Sequence, residues 1–219
     1  MPSRPQALSI TEALAADLRS RIFRGELTPD TRLTEVELAT GYEVARPTAK
    51  AAIEKLVAEG LLRRDAHKTA RVPAMSRADI EDLYFSRMFL EREVARTLAR
   101  RQRVPDAARQ AHTEIASVGD ASSLDIVEPD VRFHESLVDS MGSERVSRLY
   151  RALMGEMRLC MAQVQSHGLL EASAIAAEHA AILEAIEAGD AEGAAQAVDD
   201  HLSRARDELA PFLAHDDRR

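Results

Sequence analysis

The sequence has little cysteine, few aromatic residues and no long apolar run. Cys160 is the only cysteine, so the chain cannot form an internal disulfide, as expected of a protein in a reducing compartment. No stretch approaches the roughly 18 consecutive apolar residues that a membrane span requires. No basic-then-apolar leader ends in a small-residue cleavage site. We therefore expect a cytoplasmic protein with no membrane partner.

The composition supports a folded core and divides the charge unevenly. The chain has 219 residues, 45% of them apolar, which is enough for one large or two modest domains. Residues 1–75 hold 12 Lys and Arg against 10 Asp and Glu, whereas residues 76–219 hold 17 against 27. A locally basic N-terminal part on an acidic body keeps electrostatic attraction where phosphate groups would approach.

The segment from Val44 to Leu62 has the pattern of a helix that enters a DNA groove. Pro47 lies where a first-turn proline is favoured, and apolar residues recur at three- and four-residue spacing on one face. The other face carries Arg46, Thr48 and Lys50 near the helix start, which suits a major groove. An amphipathic helix with a solvated basic edge has the same pattern, so the neighbouring segments must decide.

Two capping boxes precede this helix. Ser9 with Glu12 and Thr34 with Glu37 each mark the start of a helix. The runs 61–64 and 69–72 are partly β-branched and predict a two-stranded hairpin. Three helices and a hairpin predict a winged helix-turn-helix over residues 1–75.

The tip of the predicted wing carries two further candidates for contact with DNA. His67 and Lys68 lie between the two strands of the hairpin. They would contact phosphate or the minor groove, or simply water.

The remainder of the chain, residues 76–219, has helical periodicity and no strand pattern. Pro73 and a capping pair, Ser76 with Asp79, place the boundary near residue 75. Six helices are predicted at about 79–101, 105–118, 122–141, 144–167, 172–188 and 190–213. Pro129 predicts that the third of these is kinked or starts late. The fold class is therefore mainly α, with an antiparallel six-helix bundle after the winged head.

Four residues of the bundle are candidate metal ligands. Asp130 and His134 are four residues apart, so they share a helical face. His179 and His201 lie on two further helices, and a bundle can bring such side chains together. From spacing alone, ordinary partly exposed polar residues and a simple i,i+4 pair are the favoured explanation of the pattern.

The N-terminal motifs resemble a known family. Gly-Glu-Leu-x-Pro at 25–29, Leu-Thr-Glu-x-x-Leu-Ala at 33–39, and Val-x-Arg-x-x-x-Lys leading to Glu-Gly-Leu at 44–61 are similar to the DNA-binding head of GntR-type transcriptional regulators. In that family a serine usually precedes the arginine and a Thr-Pro pair follows it. A second arginine usually stands at the position of Lys50, and the wing usually contains a glycine. Here Ala45, Pro47-Thr48, Lys50 and Thr69 occupy those positions, which leaves the fold intact and changes the groups available for base contacts.

Residues 79–213 resemble the all-helical FCD domain of the FadR-like branch of that family. The shared pattern is Asp-x-x-x-His at 130–134, Glu-His followed by Ile-x-x-Ala-Ile-x-x-Gly-Asp at 178–190, and a late histidine, His201. The resemblance implies that Asp130, His134, His179 and His201 bind a divalent metal such as Zn, Ni, Mn or Fe. It also implies open coordination positions for the carboxylate of an organic acid effector.

Arg87 matches a recurring Arg-x-x-Leu-Glu of the same branch. Its guanidinium is a candidate to bind the effector in a bidentate pair. A surface arginine, or an ion pair with Glu91, is an equally good interpretation of this residue.

These expectations together predict an operator-binding regulator, favoured as a repressor, whose DNA affinity is set by an organic acid at a metal site. A homodimer is expected, because specific repressors commonly read palindromes. A metal-dependent bundle enzyme is the alternative, although only one carboxylate ligand is apparent and no second acid or base accompanies it. A regulator with a purely structural metal also fits, and an effector-dependent change in operator affinity separates these two regulators.

Overall fold

The computed structural model of the protein describes residues 9–64, 69–118, 123–164 and 171–213. The chain forms two compact units, Met1–Ala74 and Met75–Arg219, and each is described by itself. None of the helices in the described ranges is both long and apolar enough to cross a membrane.

The N-terminal unit is a winged helix-turn-helix, as predicted. Its elements are α1 (Ile10–Phe23), β1 (Arg32–Leu33), α2 (Glu35–Gly41), α3 (Arg46–Ala58) and β2 (Ala70–Arg71). The Ser9 and Thr34 side chains accept hydrogen bonds from the backbone N–H groups of Glu12 and Glu37, so each caps its helix. The apolar face of α3 is buried and packs against α1 and α2.

The wing pairs differently from the predicted hairpin. Strand β2 pairs antiparallel with β1, Arg32 opposite Arg71 and Leu33 opposite Ala70. The predicted partner segment, 61–64, contributes a single bridge between Arg63 and Arg71. Leu61 and Leu62 are buried in the core, so segment 61–64 has the apolar residues of a strand although it does not form a regular one. Two residues of β1 are too few to show an alternating pattern, so the sequence did not predict this strand.

The described part of the C-terminal unit contains six α-helices, so the mainly α class is confirmed. They are α4 (Arg77–Arg100), α5 (Asp106–Ser117), α6 (Ser123–Asp139), α7 (Glu144–Val164), α8 (Ala172–Ala188) and α9 (Ala191–Leu209), with a 3₁₀ turn at Ala210–Phe212. Helix α6 continues through Pro129 and starts before it, so the predicted late start is wrong. Helix α4 packs along α9, α8 packs against α9 and α5, and α6 packs against α5 and α7.

The turn between α8 and α9 sets the level of two candidate ligands. Gly189 ends α8 in the left-handed conformation, with φ 77°, and the Asp190 side chain caps α9 through the Gly193 N–H at 2.9 Å. His179 lies ten residues before Gly189 and His201 eleven residues after Asp190. At 1.5 Å per residue, about 15 and 16.5 Å of helix separate them from the turn. The tight connection therefore places both histidines at nearly the same height.

Candidate metal centre and DNA-contacting helix

The fold brings the four predicted ligands to one place. One ligand atom each from Asp130, His134, His179 and His201 lies within 4.8 Å of the other three. The three histidines are buried, and the Asp130 side chain retains 14% of its exposure. Helix α6 supplies the i,i+4 pair, whereas α8 and α9 supply one histidine each.

The spacing of these atoms suits a single ion. His134 Nε2 lies 3.1 Å from His201 Nε2, and Asp130 Oδ1 lies 3.3 Å from His179 Nε2 and 3.8 Å from His134 Nε2. Ligands at about 2.0–2.2 Å from a metal are roughly 3.0 Å apart at right angles and about 4.2 Å apart across the ion. The two most distant ligand atoms are no more than 4.8 Å apart, and shifts of a few tenths of an ångström would bring them into this range.

Two carboxylates, the buried Glu91 and the partly exposed Glu178, set the tautomers of two of these histidines. His134 Nδ1 lies 2.6 Å from Glu91 Oε2, and His201 Nδ1 lies 2.7 Å from Glu178 Oε2. An ionised carboxylate only accepts hydrogen bonds, so each Nδ1 carries a proton, and each ring in its neutral form turns a bare Nε2 inward. Two bare nitrogens 3.1 Å apart repel each other unless a cation lies between them. The donor set therefore fits a metal ion.

His179 is held in a different way. Its ring stacks on Phe133 with centroids 3.7 Å apart and planes at 8°. Within the described residues neither ring nitrogen has a hydrogen-bond partner, although both are buried. Burial lowers the pKa of His179 to about 3, so the ring is neutral and able to bind a metal at pH 7. A buried imidazole without a hydrogen bond is costly, and a metal ligand role would satisfy it.

Glu91 connects the cluster to the interior of the bundle. Besides His134, it accepts hydrogen bonds from Arg87 Nε at 2.9 Å and from the Tyr150 hydroxyl at 2.6 Å. Burial alone raises the pKa of Glu91, but His134, Arg87 and these hydrogen bonds outweigh it and hold the pKa well below its usual range. Glu91 is therefore ionised although it is buried.

Asp130 is ionised for a similar reason. Burial raises its pKa, but the contact with His179 and the neighbouring His134 and His201 hold the pKa well below its usual range. Glu178 is partly exposed and pairs with Arg204 as well as His201. Burial raises the pKa of Glu178, and these two partners lower it to about 2.

A small cavity adjoins the candidate metal centre. It has about 20 Å³ of free space, room for about one water molecule. Asp130, His201 and Arg87 all line it. Arg87 is 1% exposed, and its Nη2 has no hydrogen-bond partner in the described part of the chain. One interpretation of Arg87, the ion pair with Glu91, is thus present, and this cavity-lining guanidinium still keeps one donor without a partner.

The predicted DNA-contacting residues open α3. Arg46 and Lys50 are exposed, and Thr48 is half-buried. Lys50 is 3.7 Å from Glu54, an exposed i,i+4 pair that leaves the cation accessible. His67 and Lys68 lie outside the described residues.

Sequence reasoning missed part of this site. It named Glu91 only as a partner for Arg87 and did not foresee its contacts with His134 and Tyr150. Glu178 entered only as the neighbour of His179, not as the acceptor for His201. A glutamate one turn from a candidate arginine was the available signal for Glu91.

Family models match both units of the chain. The model for bacterial regulatory proteins of the gntR family matches residues 10–72, and the FCD domain model matches residues 82–204. The chain belongs to the GntR family and carries an FCD domain. It is thus a transcriptional regulator with an operator-binding head and an effector-type helical domain.

Relatives of this GntR regulator span most of its length. The uncharacterized HTH-type transcriptional regulator YdhC of Bacillus subtilis is 26% identical over 200 residues, covering 90% of this chain and 89% of the relative. The probable D-xylose utilization operon repressor of Paenarthrobacter nicotinovorans is 26% identical over 198 residues, covering 89% and 84%. A crystal structure described as a GntR regulator from Rhodococcus sp. RHA1 has a TM-score of 0.75 and 23% identity. It covers 93% of this chain and 99% of that one, and shows the shared fold.

Proposed function

We propose that this protein is a homodimeric repressor whose affinity for its operator is set by a small organic acid bound at a metal centre in the helical domain. One observation carries this proposal. One cavity is lined both by Arg87, a buried arginine with one nitrogen that has no partner in the described residues, and by two ligands of the candidate metal centre.

Asp130, His134, His179 and His201 would hold one divalent ion. Three imidazoles and one carboxylate suit Zn, Ni, Mn or Fe. On an ion of higher coordination number they leave about two positions free. When bound, the metal supplies a Lewis-acidic position for a carboxylate oxygen.

The effector is proposed to be an acid because of the charge that the cavity offers. Arg87 Nε is used by Glu91, and Nη2 remains free to donate. A guanidinium binds carboxylates well, and a buried donor without a partner costs about 1–3 kcal/mol until one arrives. A carboxylate between the metal position and Arg87 would satisfy both.

The DNA interface is proposed to be the first turns of α3. Arg46 and Lys50 are exposed there and Thr48 is half-buried, and none of the three belongs to the buried apolar face. The recognition helix of a helix-turn-helix inserts its N-terminal residues into the major groove. His67 and Lys68, at the predicted wing tip, remain proposed contacts.

A face of α4 and α7 is proposed as the dimer interface. Phe85 and Phe89 lie one turn apart on α4 and are 66% and 73% exposed, and Leu149 on α7 is 68% exposed. Phe89 and Val146 line one groove between these helices, and Leu149 follows Val146 by one turn. Contiguous exposed apolar side chains mark association sites. A second copy fits because a palindrome requires a two-fold pair of heads.

The bundle enzyme is disfavoured by where the other carboxylates lie. Glu91 and Glu178 contact the outer nitrogens of His134 and His201. They therefore orient ligands instead of bridging a second ion, as a di-iron bundle enzyme would require. A purely structural metal is separated from a sensing one only by experiment.

The test begins with full-length protein purified without chelator. Elemental analysis should find near-stoichiometric metal in the wild type and none in the double variant His179→Ala/His201→Ala. Genomic DNA captured by the protein would supply the operator. Operator affinity is then measured with a panel of carboxylic acids, with and without metal.

Arg87→Lys provides a matched variant for the sensing step. It keeps the charge beside Glu91 and the metal ligands but loses the forked donor geometry. We expect normal metal content and operator binding with a weakened response to acid. If no carboxylic acid alters operator affinity of the metal-loaded wild type, the metal is structural and the sensing function is wrong.

A further inference from the structure

The cavity beside the metal centre has walls of a particular kind. Besides the charged groups, it is lined mainly by apolar side chains: Val127, Val131, Met157, Met161, Ile175 and Leu209. The only hydroxyl among the described lining residues is that of Tyr84, which contacts Met157 Sδ at 3.5 Å. The body of a ligand in this cavity would meet hydrocarbon and thioether groups.

The cationic groups of the cavity are not equally available. Arg87 keeps a free donor, as described above. Arg204 also lines the cavity, but its guanidinium contacts Glu178 and donates to Glu208 Oε2 at 2.7 Å. Two carboxylates already neutralise Arg204, so the described residues offer one place for an anionic group of the ligand.

We propose that the effector is a monocarboxylate with an unsubstituted apolar body, and that dicarboxylates and sugar acids are rejected. This inference rests on the proposed function and names the class of acid. Hydroxyl groups buried against the apolar wall would lose their hydrogen bonds to water without replacement. A second carboxylate would meet Glu208 on the cavity wall, and Arg204 is already paired with Glu208 and Glu178.

The small free volume indicates how the body would be accommodated. Room for about one water is too little for several carbon atoms, so the wall must move. Met157 and Met161, neighbours one turn apart on α7, are unbranched and change rotamer readily. Binding would therefore displace side chains of α7, whereas the carboxylate would be held by groups of α4, α6 and α9.

Three six-carbon acids test the proposal: hexanoate, adipate and gluconate. Calorimetry is performed on the full-length protein loaded with Zn²⁺ or Ni²⁺, whichever it retains. We expect hexanoate to bind at least tenfold more tightly than adipate or gluconate, because each of these buries polar groups without partners. Equal or tighter binding of adipate or gluconate overturns the inference and leaves the proposed function standing. Failure of all three acids, and of any wider panel, overturns both.

Glu208→Gln is the variant that addresses charge. This substitution removes one of the two carboxylates that pair with Arg204. Glu208 lines the cavity and is not a ligand of the candidate metal centre. Adipate should bind at least threefold more tightly than to the wild type, with hexanoate unchanged. An unchanged affinity for adipate would show that the partners of Arg204 do not exclude a second carboxylate, contrary to the proposal.

Discussion

Glu91→Gln is the substitution from which the structure predicts the largest consequence. The glutamate is buried and accepts from Arg87, His134 and Tyr150 at 2.9, 2.6 and 2.6 Å. Its side chain and that of Arg87 are each only 1% exposed, so solvent screens neither charge. Removing one partner of a buried ion pair leaves the other uncompensated, at a cost of about 3–5 kcal/mol.

The same substitution should weaken metal binding. Glu91 holds a proton of His134 on Nδ1, which would leave Nε2 available to a bound ion. Loss of such an outer contact commonly reduces metal affinity by about 10–100-fold. The two effects are separable, because unfolding is measured on metal-free protein and affinity on the fraction that is folded.

Guanidinium chloride titration of the metal-free chain and calorimetric titration with Zn²⁺ or Ni²⁺ provide the assay. Glu93→Gln is the matched control on the same helix, since its side chain is 64% exposed and pairs only loosely with Arg96 and Arg100. It should change stability by no more than about 0.5 kcal/mol.

Tyr150→Phe tests the same hydrogen-bond network in case the Glu91→Gln variant does not fold. It removes a single hydrogen bond to Glu91 and should cost about 1–2 kcal/mol while the fold persists. The reasoning is refuted if folded Glu91→Gln binds metal as tightly as the wild type. It is equally refuted if Tyr150→Phe leaves stability unchanged.

Three further predictions concern DNA, assembly and pH. Arg46→Ala should cost ~1–3 kcal/mol of operator affinity without affecting folding. Arg109→Ala, which removes an exposed cation of the other unit, should leave operator affinity unchanged. Unchanged operator binding in an Arg46→Ala/Lys50→Ala protein would contradict the role of α3. Light scattering should report twice the 24.1 kDa of one chain, and Phe89→Glu should halve that mass while Ile10→Glu, at another exposed apolar position, does not. The unfolded chain binds a proton at His179 below about pH 6.5, but the folded metal-free chain does so only near pH 3. The free energy of unfolding should therefore fall by up to about 1.4 kcal/mol per pH unit as the pH drops through this window. The fall should be smaller in His179→Gln.

The helices and their caps were predictable because local chemistry determines them. Ser9 and Thr34 each bond the N–H three residues on, whatever the rest of the fold does. The i,i+4 spacing of Asp130 and His134 likewise follows from the helical period alone. The convergence of these two with His179 and His201 was implied only by the family resemblance, since spacing along the chain does not say which helices meet.

The unpredicted parts depend on contacts between distant segments. Strand β1 exists because 32–33 meets 70–71, and its two residues carry no period of their own. Glu91 contacts His134 because α4 docks against α6, 43 residues further along the chain. Even Pro129, which locally favours a break, is accommodated within α6 because packing against α5 and α7 outweighs the loss of one backbone hydrogen bond.

In the proposed function, helix α4 is the element that would respond to occupancy of the cavity. Its Glu91 fixes a metal ligand, its Arg87 faces the cavity, and it begins at Arg77, directly after the N-terminal unit in the chain. Arg87 and Glu91 are one turn apart and bonded to each other, so a carboxylate that draws on Arg87 acts on the same turn that orients His134. An acid changes operator affinity only to the extent that it prefers one arrangement of α4, and a hundredfold preference corresponds to about 2.7 kcal/mol. This is comparable to the cost of leaving the buried Arg87 nitrogen without a partner, so under the proposed function that donor would supply the preference if the acid engages it in only one arrangement of α4.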